Sequence, residues 1–211
     1  MSYLVPQLDG SPHAGDNCGP ASVAEALRWA TDHDIAPSPS RIRGLMGDFS
    51  GGTQMCDHKI AWDKFIPVAA EAGWRLEPMH DRGISPFTDL NAAIAKGRAA
   101  TVAISYADLD ASYRCSRSFL GLHAIFISRR KVVGKTTMYK VWDPLADGRY
   151  HGIPRGPIWY PADVLMRACA GATGRRATAW FNIVRRATLI DMEPVIPQGD
   201  TEPNVGVIKE R

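Results

Sequence analysis

The spacing of apolar residues changes once along this chain, near residue 98, and that change bounds the fold more tightly than any other feature. Before it, Val23, Leu27 and Ala30, then Trp62, Phe65, Ile66 and Ala69, then Phe87, Leu90 and Ile94 recur at the spacing of one helix face. After it, Val102, Ile104 and Tyr106 alternate, and segments 122–128, 137–143 and 178–186 read as further strands. The pattern predicts helices over 18–31, 37–46 and 57–72, another from Ser85-Pro86 to Gly97, and a short one over 161–170. Pro67 is expected to kink or interrupt the third of these, and 74–79 reads as a short strand. A helical first half followed by an antiparallel second half is α+β, with a seam at which a site can lie.

The 211 residues are enough for one well-cored domain or for two lobes sharing a cleft. Periodicity ends before Pro194, Pro197 and Pro203, which divides the chain into a domain at 1–187 and an extended tail at 188–211. Such a tail would need its own body or a protein partner to lie against. No apolar run approaches the roughly 18 residues of a membrane span, and the start lacks a basic stretch followed by an apolar one. Cytoplasmic synthesis without membrane contact is expected. The formal charge is only +3, and Arg129-Arg130-Lys131, Arg175-Arg176 and Arg185-Arg186 lack interleaved aromatics. They read as solvated turns and strand ends, not as a nucleic-acid surface.

Cys56-Asp57-His58 has no second ligand pair at zinc spacing, and no phosphate or dinucleotide loop is present, so no metal or organic cofactor is expected. Gly51-Gly52 lies in a glycine-rich stretch that reads as a mobile loop sooner than as a self-cleavage site. The four cysteines, Cys18, Cys56, Cys115 and Cys169, are spread singly, as free thiols are and a disulfide scaffold is not. One of them stands apart. Cys18 follows Asp16-Asn17, either of which can cap a helix, and precedes Gly19-Pro20. A sulfur there meets unpaired first-turn amides and the positive end of the helix dipole, an environment that favours an anion. Gly19 leaves room for a substrate backbone, and the Cys18 amide can point at an oxyanion.

A thiolate nucleophile needs a proton-transfer partner. His13, His33, His58 and His80 fall in loops or at helix edges, and His151 in a turn, where solvated or capping roles are expected. His123 lies inside the apolar strand Leu122-His123-Ala124-Ile125-Phe126-Ile127, where a buried ring needs a partner. A hairpin turn centred on Val133 would set His123 directly opposite Asp143, whereas a turn at Gly134-Lys135 would not. Without Cys18 the pair would read as a sheet-stabilising contact. Gln7 could give a second oxyanion donor, although its position alone reads as a surface glutamine.

Val5-Pro6-Gln7, Asn17-Cys18-Gly19-Pro20-Ala21-Ser22, Gly121-Leu122-His123-Ala124 and Val141-Trp142-Asp143-Pro144-Leu145 together resemble papain-like cysteine peptidases. Within that superfamily they are similar to the branch holding the bacteriocin-processing, double-glycine leader peptidases. The resemblance spans roughly residues 3–187. It implies a papain-like fold, a helical lobe packed on an antiparallel sheet with the site at their seam. It also implies Cys18 as nucleophile, His123 as base, Asp143 as the residue orienting it and Gln7 as oxyanion donor. Leu122 stands between Gly121 and His123, and ten residues separate Gln7 from Cys18, more than the compact papain spacing. The activity implied is thiol-dependent hydrolysis of a peptide or other amide bond, or its acyl-transfer sibling. With no transporter following, a bacteriophage setting and a peptide or peptidoglycan-like substrate are expected. The alternative is an idle structural scaffold, such as a virion component.

Overall fold

The computed structural model describes residues 2–47, 51–146 and 156–190. His151 and the prolines at 194, 197 and 203, with most of the expected tail, lie outside the described residues. In chain order the elements are α1 (Cys18–Ala30), α2 (Pro39–Met46), α3 (Met55–Glu71), β1 (Trp74–Arg75), β2 (His80–Pro86) and α4 (Phe87–Ala95). They continue with β3 (Ala99–Ser105), β4 (Leu122–Val133), β5 (Thr136–Trp142), β6 (Ile158–Pro161), α5 (Ala162–Thr173), β7 (Thr178–Val184) and β8 (Thr188–Leu189). No helix among the described residues is long and apolar enough to cross a membrane.

β2-β7-β3-β4-β5-β6 form one antiparallel sheet in that order, and β1 pairs with β8 apart from it. The central strand β3 is apolar and buried along nearly its whole length because helices cover both faces. On one face Leu27 of α1, Ile42 of α2 and Trp62 and Phe65 of α3 pack with Phe126, Trp142 and Val184. On the other, Leu90 and Ile94 of α4 and Leu165 of α5 pack with Val102, Ile125 and Phe181. α3 runs through Pro67 without interruption, because Pro67 is on the exposed side, where the carbonyl it strands can bond water.

Two edge strands, β2 and β6, had no clear alternation to announce them. β2 is mostly exposed, bulges between Asp81 and Gly83, and ends on Pro86. β6 is four residues long and also ends on proline. Short, charged or proline-bearing edges block pairing with another chain, and the same devices hide them from a periodicity argument. The expected strand at 74–79 shrinks to Trp74–Arg75.

The β4–β5 hairpin departs from the expected register. Val133 pairs with Thr136 across a two-residue turn at Gly134-Lys135, not one centred on Val133. Gly134 has φ of 60°, the positive value demanded at the first central position of such a turn, which selects this connection. A bulge between Ile127 and Arg129 then shifts the pairing by one, so that Ile127 faces Val141 and Phe126 faces Trp142. The Trp142 indole N–H donates to Ser128 Oγ at 2.8 Å and pins the bulge.

α1 is buried on all sides; only Arg28 escapes. Its Glu25 is wholly buried, with Oε1 accepting the Val5 amide at 3.1 Å, and Arg28 donates to the Leu4 carbonyl at 2.9 Å. These two side chains strap the N-terminal segment across the helix. Burial first, then the charge of Asp143, hold the Glu25 carboxyl well above the usual range, against the Val5 bond. A carboxyl raised by folding destabilises the fold increasingly as pH climbs past its unfolded value, near 4.3. Glu25→Gln is therefore expected to gain urea stability over wild type between pH 5 and 8. Glu25→Ala, which strands the Val5 amide, is expected to lose about 1–3 kcal/mol. A flat difference between wild type and Glu25→Gln across that range would show that the carboxyl is ionised.

Candidate active site

Cys18 opens α1 and is 4% exposed. Asn17 holds the cap position, yet its side chain makes no cap bond. Its amide nitrogen instead donates to Asp9 Oδ1 at 3.3 Å and Ser11 Oγ at 3.2 Å, while its oxygen accepts Arg43 Nε at 2.7 Å. Arg43, buried on α2, also donates to the Asp16 carbonyl at 2.7 Å. The turn before Cys18 is thus fixed from outside, and no side chain of the cap residue competes for the first-turn amides. Those amides have no intrahelical partner and can serve an anion at or beside the sulfur.

His123 and Asp143 are both fully buried, with His123 Nε2 2.8 Å from Asp143 Oδ1. They meet by a different route from direct opposition. Past the Ser128 bulge the register carries Asp143 opposite Ile125, which shares a strand face with His123, so the carboxylate reaches its histidine diagonally. Asp143 Oδ1 also accepts the Leu145 amide at 2.8 Å, and Oδ2 accepts the Tyr106 hydroxyl at 2.8 Å. Burial opposes its charge, but His123 and these bonds outweigh it and hold Asp143 below the usual carboxylate range. Burial opposes the imidazolium too, and there Asp143 and then Cys18 prevail, raising His123 well above an ordinary histidine. With Nε2 given to Asp143, Nδ1 is buried without a hydrogen-bond partner, and Cys18 is near enough to the ring to help raise it. Tyr106 and Phe119 stand edge-on to the ring at 5.0 and 5.6 Å.

Gln7 is buried, not a surface residue. Its backbone amide donates to the Pro144 carbonyl at 3.1 Å, and Nε2 donates to the Gly15 carbonyl at 3.1 Å, three residues before Cys18. One amide hydrogen of Nε2 remains. The four sequence motifs therefore converge: Gln7 is tied to the Asp143-Pro144 turn on one side and to the approach to Cys18 on the other.

The room left by Gly19 is filled by the chain itself. A Cβ on Gly19 would stand 1.8 Å from the Gly52 carbonyl oxygen, and one on Gly52 would stand 2.4 Å from Cys18 Sγ. Both positions must be glycine for the segment at 51–54 to lie against Cys18 and the turn before it. His58, expected at a solvated helix edge, is instead fully buried on α3. Its Nδ1 is 3.2 Å from Thr101 Oγ1, and Nε2 faces the Gly52 carbonyl. Burial drives it down to about 3, so it is neutral. Tyr106, Arg43, Glu25 and His58 were not singled out from the sequence for these roles. Tyr106 alone carried a signal, as a polar-tipped residue ending the Val102, Ile104, Tyr106 face.

A sulfur at a helix N-terminus, near an imidazole oriented by a buried carboxylate, can carry nucleophilic attack and proton transfer on one substrate. No family model matches the sequence, and no curated protein matches it. Among solved structures the chain is similar to a Bacillus anthracis protein described as a C39-like peptidase. The TM-score is 0.54, at 14% identity, over 88% of this chain and 95% of that one. The chain has an α+β, papain-like fold.

Proposed function

We propose that the chain is a thiol-dependent hydrolase that cleaves a peptide or other amide bond through Cys18, His123 and Asp143. The observation that carries this reading is one buried group of side chains: Cys18 at the start of α1, the His123 ring near enough to feel it, and His123 Nε2 2.8 Å from Asp143. Cys18 Sγ attacks the substrate carbonyl carbon, and the oxyanion is received by the Cys18 amide and the remaining hydrogen on Gln7 Nε2. His123 Nδ1 then protonates the leaving amine as the C–N bond breaks, which leaves a thioester. Water, losing a proton to His123, attacks the thioester and frees the acid and the thiol.

Two measurements test this. Wild type and Cys18→Ala screened on peptide libraries and peptidoglycan fragments are expected to differ by complete loss of cleavage, with His123→Ala reduced about 10²–10⁴-fold. Iodoacetamide at pH 6 is expected to label Cys18 faster than Cys56, although Cys56 is exposed and Cys18 is not. Labelling of Cys18 no faster than Cys56 would count against an activated nucleophile and for an idle scaffold.

The ion pair also sets a pH dependence. A histidine raised by folding adds stability that is complete below its unfolded value, near 6.5, and is lost as pH climbs toward its folded value of about 10. The urea midpoint of wild type is expected to exceed that of His123→Gln most at pH 6 and to converge on it by pH 9–10. A gap that widens with pH would mean that His123 is neutral in the fold.

A further inference from the structure

One cavity among the described residues is lined by none of the residues around Cys18. It measures about 380 Å³ and lies between β2, α4, the turn into β3 and the end of β7. His80 pairs with Ile183 and Ala99 with Val184 at this end of the sheet, whereas Ser105 and Leu122, beside His123, pair at the other. We infer that this cavity is a second binding site, for a small, multiply charged oxyanion.

Four cations from separate parts of the chain line it: Arg82, Lys96, Arg98 and Arg185. Against them stand two carboxylates, Glu77 and Asp89, and Asp89 is already taken by Arg82 at 3.2 Å. His80 stands at the same rim. Lys96, Arg98 and Arg185 have no carboxylate partner among the described residues. The excess of two positive charges in one cavity accounts for most of the formal +3 of the whole chain. Like charges lining one cavity repel, and an anion held among them relieves that repulsion.

Arg185, exposed just past the end of β7, lines the cavity, and its neighbour Arg186 does not. Arg186 turns to the α1 face, donates to the Trp29 carbonyl and lies over the Trp29 ring at 4.3 Å. Its neighbour Arg185 takes the opposite side with Ile183 and meets the cavity. Arginine forks suit the planar or tetrahedral oxygens of carboxylate and phosphate, and the small Ala92 and Ala93 of α4 line the same cavity. The volume is that of a small-molecule site.

The test is calorimetric titration of the full chain with pyrophosphate and, in parallel, citrate. Wild type is expected to bind at least one of them, and whichever binds tighter identifies a phosphate or a carboxylate ligand. Lys96→Glu, and separately the double variant Arg98→Ala/Arg185→Ala, are expected to weaken binding at least about tenfold. The control Arg175→Ala/Arg176→Ala, which removes two exposed cations between α5 and β7, is expected to leave it unchanged. Alkylation of Cys18 is likewise expected to leave it unchanged, which separates this site from the thiol chemistry. Absence of binding by wild type, or equal weakening in the control, would overturn the proposal.

Discussion

A carboxylate with no access to water is the constraint around which this molecule is arranged. Asp143 is fully buried and accepts from His123, Tyr106 and the Leu145 amide. An unpaired charge in that position would cost several kcal/mol, so each donor is needed where it is. Meeting that need joins the start of β4, the end of β3 and the turn after β5. The Tyr106 hydroxyl also accepts the Cys115 amide at 2.6 Å, which ties in the loop between β3 and β4. Gln7, bonded to Pro144, brings the N-terminal segment to the same point, and Glu25 holds that segment on α1. The candidate site and the fold thus share their polar bonds.

Two buried histidines show how far environment decides charge. His58 and His123 are equally inaccessible. His58 has only neutral neighbours, a threonine hydroxyl and a backbone carbonyl, and burial leaves it uncharged. His123 has an anionic carboxylate on one nitrogen and the Cys18 sulfur near the ring, and keeps its proton. Residue type and apolar context are alike in the two cases, and the partners differ. The neutral ring lies beside the Gly52 carbonyl packed on Gly19, and Gly52 packs in turn against Cys18.

The sequence made the parts legible and left their junctions dark. α1, its start at Cys18 and the strands carrying His123 and the approach to Asp143 followed from periodicity and turn chemistry, because apolar spacing is a local signal. The register between β4 and β5 did not, since it depends on which two residues make the turn and on a bulge that periodicity cannot show. Arg43, Glu25 and His58 were opaque for a related reason. Each is a polar residue on a helix whose burial is decided by a distant segment: Asp16 and Asn17 for Arg43, Val5 for Glu25, Gly52 for His58. Gln7 read as a surface residue until Pro144 and Gly15 were seen beside it.

The extra residue at Ser128 gives the hairpin a parity. With the bulge, Asp143 falls on the strand face of His123; in the unbulged register of Arg129 and Lys140 it would oppose Phe126 and face the other way. Length changes at the Gly134-Lys135 tip leave that parity intact, because the ladder re-forms behind them. A single residue gained or lost between His123 and Ser128 does not. An insertion at the tip therefore changes the hairpin's reach and leaves the two side chains on one face, whereas a single insertion behind the bulge parts them. The Trp142–Ser128 hydrogen bond sits at the residue on which that parity turns.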